Sequence, residues 1–364
     1  MNENLLLLER GGDLAAVFFA ARGGGTEFGF YRIAHQLSCT ALLVKDPGNN
    51  WYNAGIDGLG GTVDELAASL RATLGNRRIV TFGSSMGAYA AILFGCLLGA
   101  EHCVALAPQT RLDSKLPLSP PAGVPLQAPE LRRYLLESPS TTVRIFIGGS
   151  DLVDAYHAYR VADLPNVEVL VLPDAGHSVA ETLAGSDTLR DVVTATLAGS
   201  YQVPAGFESG IKDAVLRHAI EDGVERHYFG GDPMPSLRTL LTARPQWAGA
   251  HQFLGQRYLS AKRFVEAERV LRDAIQAKAD WYVPYRYLGE ALMRQGRLAE
   301  AERALRQAVE MRPAWGWAQW FLAECLYRQG QDDEAESRFA VAAKIESGAE
   351  TMRTRLMNEL GRVP

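Results

Sequence analysis

Residues 77–95 read RRIVTFGSSMGAYAAILFG. The run is β-branched and apolar up to Gly83, and from Met86 onward small, helix-compatible residues take over. Between the two stands Ser85, with Gly83 two places before it and Gly87 two places after. That spacing predicts a sharp turn from a strand into a helix, in which the middle residue is strained and the glycines admit backbone where a Cβ would intrude. Ser85 is then exposed at the strand's end. Ser84 lacks this flanking pair of glycines.

Outward from this turn, residues 1–200 alternate short β-rich runs with helical stretches. NLLLLER and LAAVFFAA, joined by the turn GGD, are expected to form a hairpin. TALLVKD, RIVTFGS, HCVALAP, VRIFIGG and VEVLVLPD read as strands buried on both faces. Helices are expected over 28–37, 62–74, 86–98 and 152–161. This alternation predicts an α/β fold, a doubly wound and mostly parallel sheet covered by helices, with chemistry at the carboxyl ends of the strands.

Beyond residue 200 the pattern is helical and periodic. Trp247, Trp281 and Trp315 are 34 apart, as are Leu254, Leu288 and Leu322, and Ala267, Ala301 and Ala335. A 34-residue period of large and small residues resembles the tetratricopeptide repeat, a helix-turn-helix unit whose alanines allow close helix approach. Three repeats are expected over 247–348, a helical linker or divergent capping pair over 201–246, and a capping helix over 349–364. Such a stack implies a protein partner or self-association. Trp317 and Trp320 lie outside the repeated tryptophan position, and either is a binding anchor or packs on the next helix.

Composition sets the class. The chain has 364 residues, enough for about two domains, with 47% hydrophobic and 22% charged residues and a net charge of −5. An acidic balance argues against non-specific nucleic-acid binding. Cys39, Cys96, Cys103 and Cys325 lack metal-ligand spacing and read as free thiols, which implies a reducing compartment. The N-terminal apolar runs are interrupted by Glu9, Arg10 and Asp13, so neither a signal peptide nor a membrane span is expected, and the cytoplasm is the expected location.

A nucleophilic serine needs a base and a group that orients the base. Asp151 follows the strand VRIFIGG, and His177 follows VEVLVLPDAG. Serine, acid and histidine in that order, each after its own strand, resembles the α/β-hydrolase fold over about residues 4–200. The resemblance implies a Ser85, Asp151, His177 triad. Asp151 takes precedence because it closely follows the strand-ending glycines, with Asp154, about a helical turn deeper, and Asp174 as competing acids. His35, His102 and His157 read as ordinary surface or core residues. The resemblance also implies an oxyanion hole from the N–H of Met86 and a second N–H from RGGGTEFGFYR, Arg22 first and Gly23 next. The family's His-Gly pair is missing there, and the glycines also suit a plain flexible turn.

In the segment VKDPGNNWYNAGI, Asp46 matches an acid of the family, and Trp51 and Tyr52 are expected either to hold a sugar or acyl group or to pin the loop. This segment, with FGFYR and GSSMGAYAA, resembles bacterial hydrolase-like proteins associated with glycan modification. About thirty proline-stiffened residues between VALAPQT and VRIFIGG leave no room for a large lid, which favours a soluble or polymer-borne ester. The expected function is a serine hydrolase cleaving an ester or thioester through an acyl-Ser85 intermediate, without cofactor or metal. The alternatives are an O-acyltransferase or deacetylase acting on a glycan, and an inactive hydrolase-fold scaffold or repeat adaptor.

Overall fold

The computed structural model describes residues 2–22, 30–173, 175–177, 179–185, 187–346 and 348–361. The chain divides into two compact units, Met1–Gly231 and Asp232–Pro364.

The first unit is an α/β layer structure. In chain order it holds β1 (Leu5–Leu8), β2 (Leu14–Phe19), α1 (Tyr31–Gln36), β3 (Thr40–Val44), α2 (Val63–Leu74), β4 (Arg78–Ser84), α3 (Met86–Leu97) and β5 (His102–Leu106). There follow α4 (Arg132–Glu137), β6 (Thr142–Gly148), α5 (Leu152–Tyr159), β7 (Val167–Leu172), α6 (Val179–Gly185), α7 (Thr188–Leu197), β8 (Glu208–Ser209) and α8 (Ala214–Phe229). The eight strands form one sheet in the order β1-β3-β2-β4-β5-β6-β7-β8. β3, β2, β4, β5, β6 and β7 run parallel, and β1 and β8 close the edges antiparallel.

The expected β1–β2 hairpin does not form. β1 pairs with β3, Leu5 opposite Val44, and β2 lies between β3 and β4. Burial explains the exchange: Ala15 to Phe19 are fully covered and suit an interior strand, whereas the half-buried leucines of β1 suit an edge. Of the four expected helices, the last three match α2, α3 and α5 within two residues; α1 starts at Tyr31, and residue 28 lies outside the described residues.

The two faces of β2 anchor the two layers, because successive strand side chains point opposite ways. Phe18 stacks on Phe82 at 5.0 Å in a cluster that includes Ala34, Leu37, Val179, Leu183 and Val192. Phe19 stacks on Phe94 of α3 at 5.4 Å across the sheet. Helix α8, expected to belong to a linker, joins this unit instead: one Glu225 carboxylate oxygen accepts from Arg111 at 2.7 Å, from the Tyr156 hydroxyl at 2.7 Å and from Arg160 at 3.3 Å.

The second unit holds α9 (Met234–Ala243), α10 (Ala248–Ser260), α11 (Phe264–Ala277), α12 (Tyr282–Arg294), α13 (Leu298–Met311), α14 (Gly316–Gln329), α15 (Asp332–Ile345) and α16 (Ala349–Glu359). The 34-residue period is structural. Ala267, Ala301 and Ala335 have no exposed surface, and Leu356 of α16 continues the series Leu254, Leu288, Leu322 in a buried position. Gln295 Nε2 donates to Glu268 at 3.0 Å, and one period on Gln329 Nε2 donates to Glu302 at 2.9 Å. A third series escapes a reading by residue type. His251, Tyr285 and Gln319, each one period apart, donate to the carbonyls of Pro245, Ala279 and Pro313, at 2.7, 3.1 and 2.9 Å. Three chemically different side chains make one bond, satisfying a carbonyl before each helix start. Trp320 is buried and meets Phe339 edge-on at 6.1 Å. Among the described residues no helix is long and apolar enough to cross a membrane.

Candidate active site

Ser85 sits between β4 and α3 with φ 51° and ψ −120°, a conformation costly for any residue with a Cβ, on the order of 1–3 kcal/mol. Hydrogen bonds hold it there. Its N–H donates to Leu106 O at 2.8 Å, and its carbonyl accepts from Ala88 and Tyr89 of the first helical turn. A Cβ on Gly83 would lie 2.0 Å from the carbonyl oxygen of Gly87, and one on Gly87 would lie 2.2 Å from that of Phe19. Both glycines are therefore required by close backbone approach, as the spacing predicts.

His177 follows β7 on a loop drawn against the end of β6. A Cβ on Gly148 would fall 2.2 Å from Gly176 O, and Ser150 N–H donates to Ala175 O at 3.1 Å. The Ser85 Oγ and His177 Nε2 atoms are 3.2 Å apart. On the far side of the ring, Nδ1 is 2.8 Å from Asp154 Oδ1. The carboxylate sets the tautomer: Nδ1–H donates to Asp154, and Nε2 is left to accept from the Ser85 hydroxyl. The Asp154 side chain is 2% exposed and the His177 side chain 27% exposed, so the acid is sealed while the imidazole remains reachable.

The expected acid, Asp151, does not reach the histidine. It is the N-cap of α5, and its Oδ1 accepts from the N–H groups of Val153 at 2.9 Å and Asp154 at 3.0 Å. A carboxylate at this position is engaged by its own helix, and the residue one turn on faces the His177 loop. Burial first and the neighbouring Asp154 carboxylate second push the Asp151 carboxyl up to about 6, against the pull of His177 and the two N–H groups. The third candidate, Asp174, lies outside the described residues.

Met86 is the first residue of α3, so its N–H has no acceptor within the helix and heads the positive end of the helix dipole beside Ser85. Arg22 is exposed, its guanidinium 5.6 Å from the centre of the Trp51 ring. Gly23, the other expected donor, lies outside the described residues.

Trp51 and Tyr52 do not offer a substrate-binding surface. They are 1% and 0% exposed, both with positive φ. Trp51 Nε1 donates to Gln109 at 3.2 Å, and the Tyr52 hydroxyl lies 3.1 and 3.2 Å from the carbonyls of Ala20 and Val44. Asp46 closes the loop by accepting from the N–H groups of Gly48, Asn50 and Tyr52. The aromatics pin the loop to the ends of β2 and β3. Tyr52→Phe is accordingly expected to lower stability by about 1 kcal/mol, the value of one buried hydrogen bond, in a urea titration, and to leave the reactivity of Ser85 unchanged. A loss of reactivity larger than the loss of stability would return Tyr52 to the site.

Beside Ser84 opens a groove of about 630 Å³, lined by Phe30, Ile33, Ala180 and Leu189 with Arg32 and Glu181 among its charged residues. Among the described residues no group of three or more His, Cys, Asp or Glu side chains is placed to hold a metal ion.

Comparison with known proteins finds tetratricopeptide repeats. A family model described as a tetratricopeptide repeat matches residues 292–350. The chain carries tetratricopeptide repeats at its C-terminal end. Among solved structures, the second tetratricopeptide domain of Spaghetti (RPAP3) bound to the HSP90 peptide SRMEEVD is 17% identical, covers 27% of this chain and 92% of its own, and has a TM-score of 0.27. The crystal structure of MamA is 17% identical, covers 48% of this chain and 97% of its own, and has a TM-score of 0.34. No curated protein matches the chain. The repeat was legible from its period, whereas Asp154 was legible only as a competitor to Asp151.

Proposed function

We propose that the first unit is a serine-dependent acyl-transfer enzyme of the α/β-hydrolase type and that the repeats recruit a protein partner. The observation that carries the enzymatic part is the relay in which Ser85 Oγ meets His177 Nε2 and His177 Nδ1 meets Asp154. Oγ attacks the carbonyl carbon of an ester or thioester while Nε2 takes the hydroxyl proton. The resulting oxyanion is stabilised by the Met86 N–H, with Arg22 or Gly23 as the source of a second donor. Nε2–H then protonates the leaving oxygen or sulfur as its bond to carbon breaks. Water, activated by the same nitrogen, releases the acid and restores Ser85; a glycan hydroxyl in place of water makes the reaction an acyl transfer. The groove beside Ser84 supports a substrate with an apolar part and a polar rim. A fluorophosphonate probe, with the labelled peptide mapped, tests this reading, followed by short-chain esters and acetylated glycans as substrates. Modification of Ser85 supports it; an unlabelled, folded chain overturns it and leaves the scaffold reading.

The recruiting role is supported by the repeats together with a groove of about 570 Å³ lined by Lys262, Glu290, Trp320, Glu324, Met352 and Arg355, among others. Lys262 and Arg355 are exposed. Reversing both charges, Lys262→Glu with Arg355→Glu, is expected to weaken self-association or partner capture about tenfold, read by sedimentation velocity and affinity capture, with Ser85 labelling unchanged. A monomer at every concentration, with no capture sensitive to these charges, overturns the recruiting role.

A further inference from the structure

The relay leaves two buried polar atoms unused, and both belong to α5. Asp154 Oδ2 and His157 Nε2 each lack a hydrogen-bond partner among the described residues. Each residue is 1% exposed. They stand three positions apart on a helix, which places them on one face. A buried carboxylate with one oxygen bonded and the other bare is costly, and so is a buried imidazole N–H with no acceptor.

The hydrogen bonds around His157 decide which atom carries its proton. Thr110 N–H donates to His157 Nδ1 at 3.3 Å, and the Thr110 hydroxyl donates to the His157 carbonyl at 2.7 Å. With Nδ1 occupied as an acceptor, the proton of the neutral ring is on Nε2. Burial foremost, then the positive charges of Arg160, His177 and Arg111, push this imidazole down to about 3, so it stays neutral wherever the relay works. His157 is thus a fixed donor that does not compete with Asp154 for the charge on His177.

We propose that His157 is a positioning residue for the candidate acid, its Nε2–H serving Asp154 Oδ2 through one buried water so that Oδ1 stays aimed at His177. A single water making two such bonds is an ordinary way to satisfy paired buried groups. The inference rests on the proposed reading of Ser85, His177 and Asp154 as a relay. Its consequence has a definite sign. When His177 is neutral the His177–Asp154 pair carries a net negative charge, and when His177 is protonated the pair is neutral overall. Asp151, raised to about 6, acts on both members of the pair, and Arg160 and Arg111 act on His157; all three are common to parent and variants. A donor on Oδ2 favours the anionic state, so its loss lets the pair hold its proton to higher pH than in the parent.

The test uses the full chain and the fluorophosphonate probe across a pH series, with His157→Leu and His157→Gln. His157→Leu fills the space and removes the donor; it is expected to slow Ser85 labelling about tenfold or more and to move the acid midpoint of labelling to higher pH. His157→Gln keeps an N–H near the position of Nε2 and is expected to restore most of the rate and the midpoint. Loss of packing alone lowers the rate at every pH and leaves the midpoint in place; that result overturns the proposal, as does an unchanged His157→Leu or a His157→Gln no better than it. If parent Ser85 is never labelled, the enzymatic reading falls, and the His177 titration followed by NMR in the same variants still decides the positioning role. Should His157→Leu fail to fold, His157→Gln against His157→Asn, whose shorter amide does not reach the Nε2 position, gives the same comparison.

Discussion

Ser85→Ala is expected to abolish fluorophosphonate labelling and to reduce ester turnover by about 10⁶, the scale reached when the nucleophile is removed from a serine–histidine unit. His177→Ala is expected to cost about as much and the double variant little more, because the two side chains act on one proton. The fold should survive Ser85→Ala, since Leu106 O, Ala88 and Tyr89 all engage backbone atoms of Ser85 and no part of its side chain. Alanine keeps the Cβ and hence the strain at φ 51°. Ser85→Gly relieves it and should raise the urea midpoint, a stability gain that comes with loss of the proposed nucleophile. Labelling that persists at a different serine in Ser85→Ala would remove Ser85 from the mechanism.

Asp154→Asn is expected to reduce turnover by about 10⁴ with little change in structure, the magnitude known for a triad acid made neutral. An amide at this position offers its N–H to Nδ1 as readily as its oxygen, so the tautomer of His177 is no longer set. Asp151→Asn should do far less, because asparagine caps a helix as well as aspartate does and Asp151 makes its hydrogen bonds to Val153 and Asp154 N–H. The two variants also differ in their dependence on pH. The Asp151 carboxyl is raised from its ordinary 3.8 to about 6, so the folded chain holds its proton more tightly than the unfolded chain. That contribution to stability is complete below about 4 and is lost as pH rises to about 6. Asp151→Asn removes this component, so a pH series of urea midpoints for parent and variant should diverge across that window. Turnover that falls more for Asp151→Asn than for Asp154→Asn would place the relay on the helix cap.

The strand-to-helix turn, the parallel strands and the 34-residue period were legible because each is written in residues close together or strictly repeated. Gly83 and Gly87 declare a close approach that no side chain tolerates, and the buried alanines at the 34-residue spacing declare helices in contact. The misread acid and the choice left open at the aromatics have a shared origin. Asp151 and Asp154 are both acids near the end of β6, and Trp51 and Tyr52 are amphipathic whether they face a sugar or a core. Their residue types are the same under either reading, and only the direction of the side chain separates them.

The sequence by itself determined which backbone could form: a strained serine between glycines, a sheet of apolar parallel strands, and a stack of paired helices, since these follow from sterics, burial and periodicity within a short span of chain. Tertiary structure alone decided the pairing of β1 with β3, the burial of Trp51 and Tyr52, and the choice of Asp154. Each depends on a group distant in the chain: Val44 opposite Leu5, Gln109 against the indole, and His177 brought to α5 by the close passage of Gly148 and Gly176. Which of two neighbouring carboxylates meets a histidine is set by the phase of a helix begun at Leu152, and that phase acquires meaning only once the loop after β7 has been laid across it.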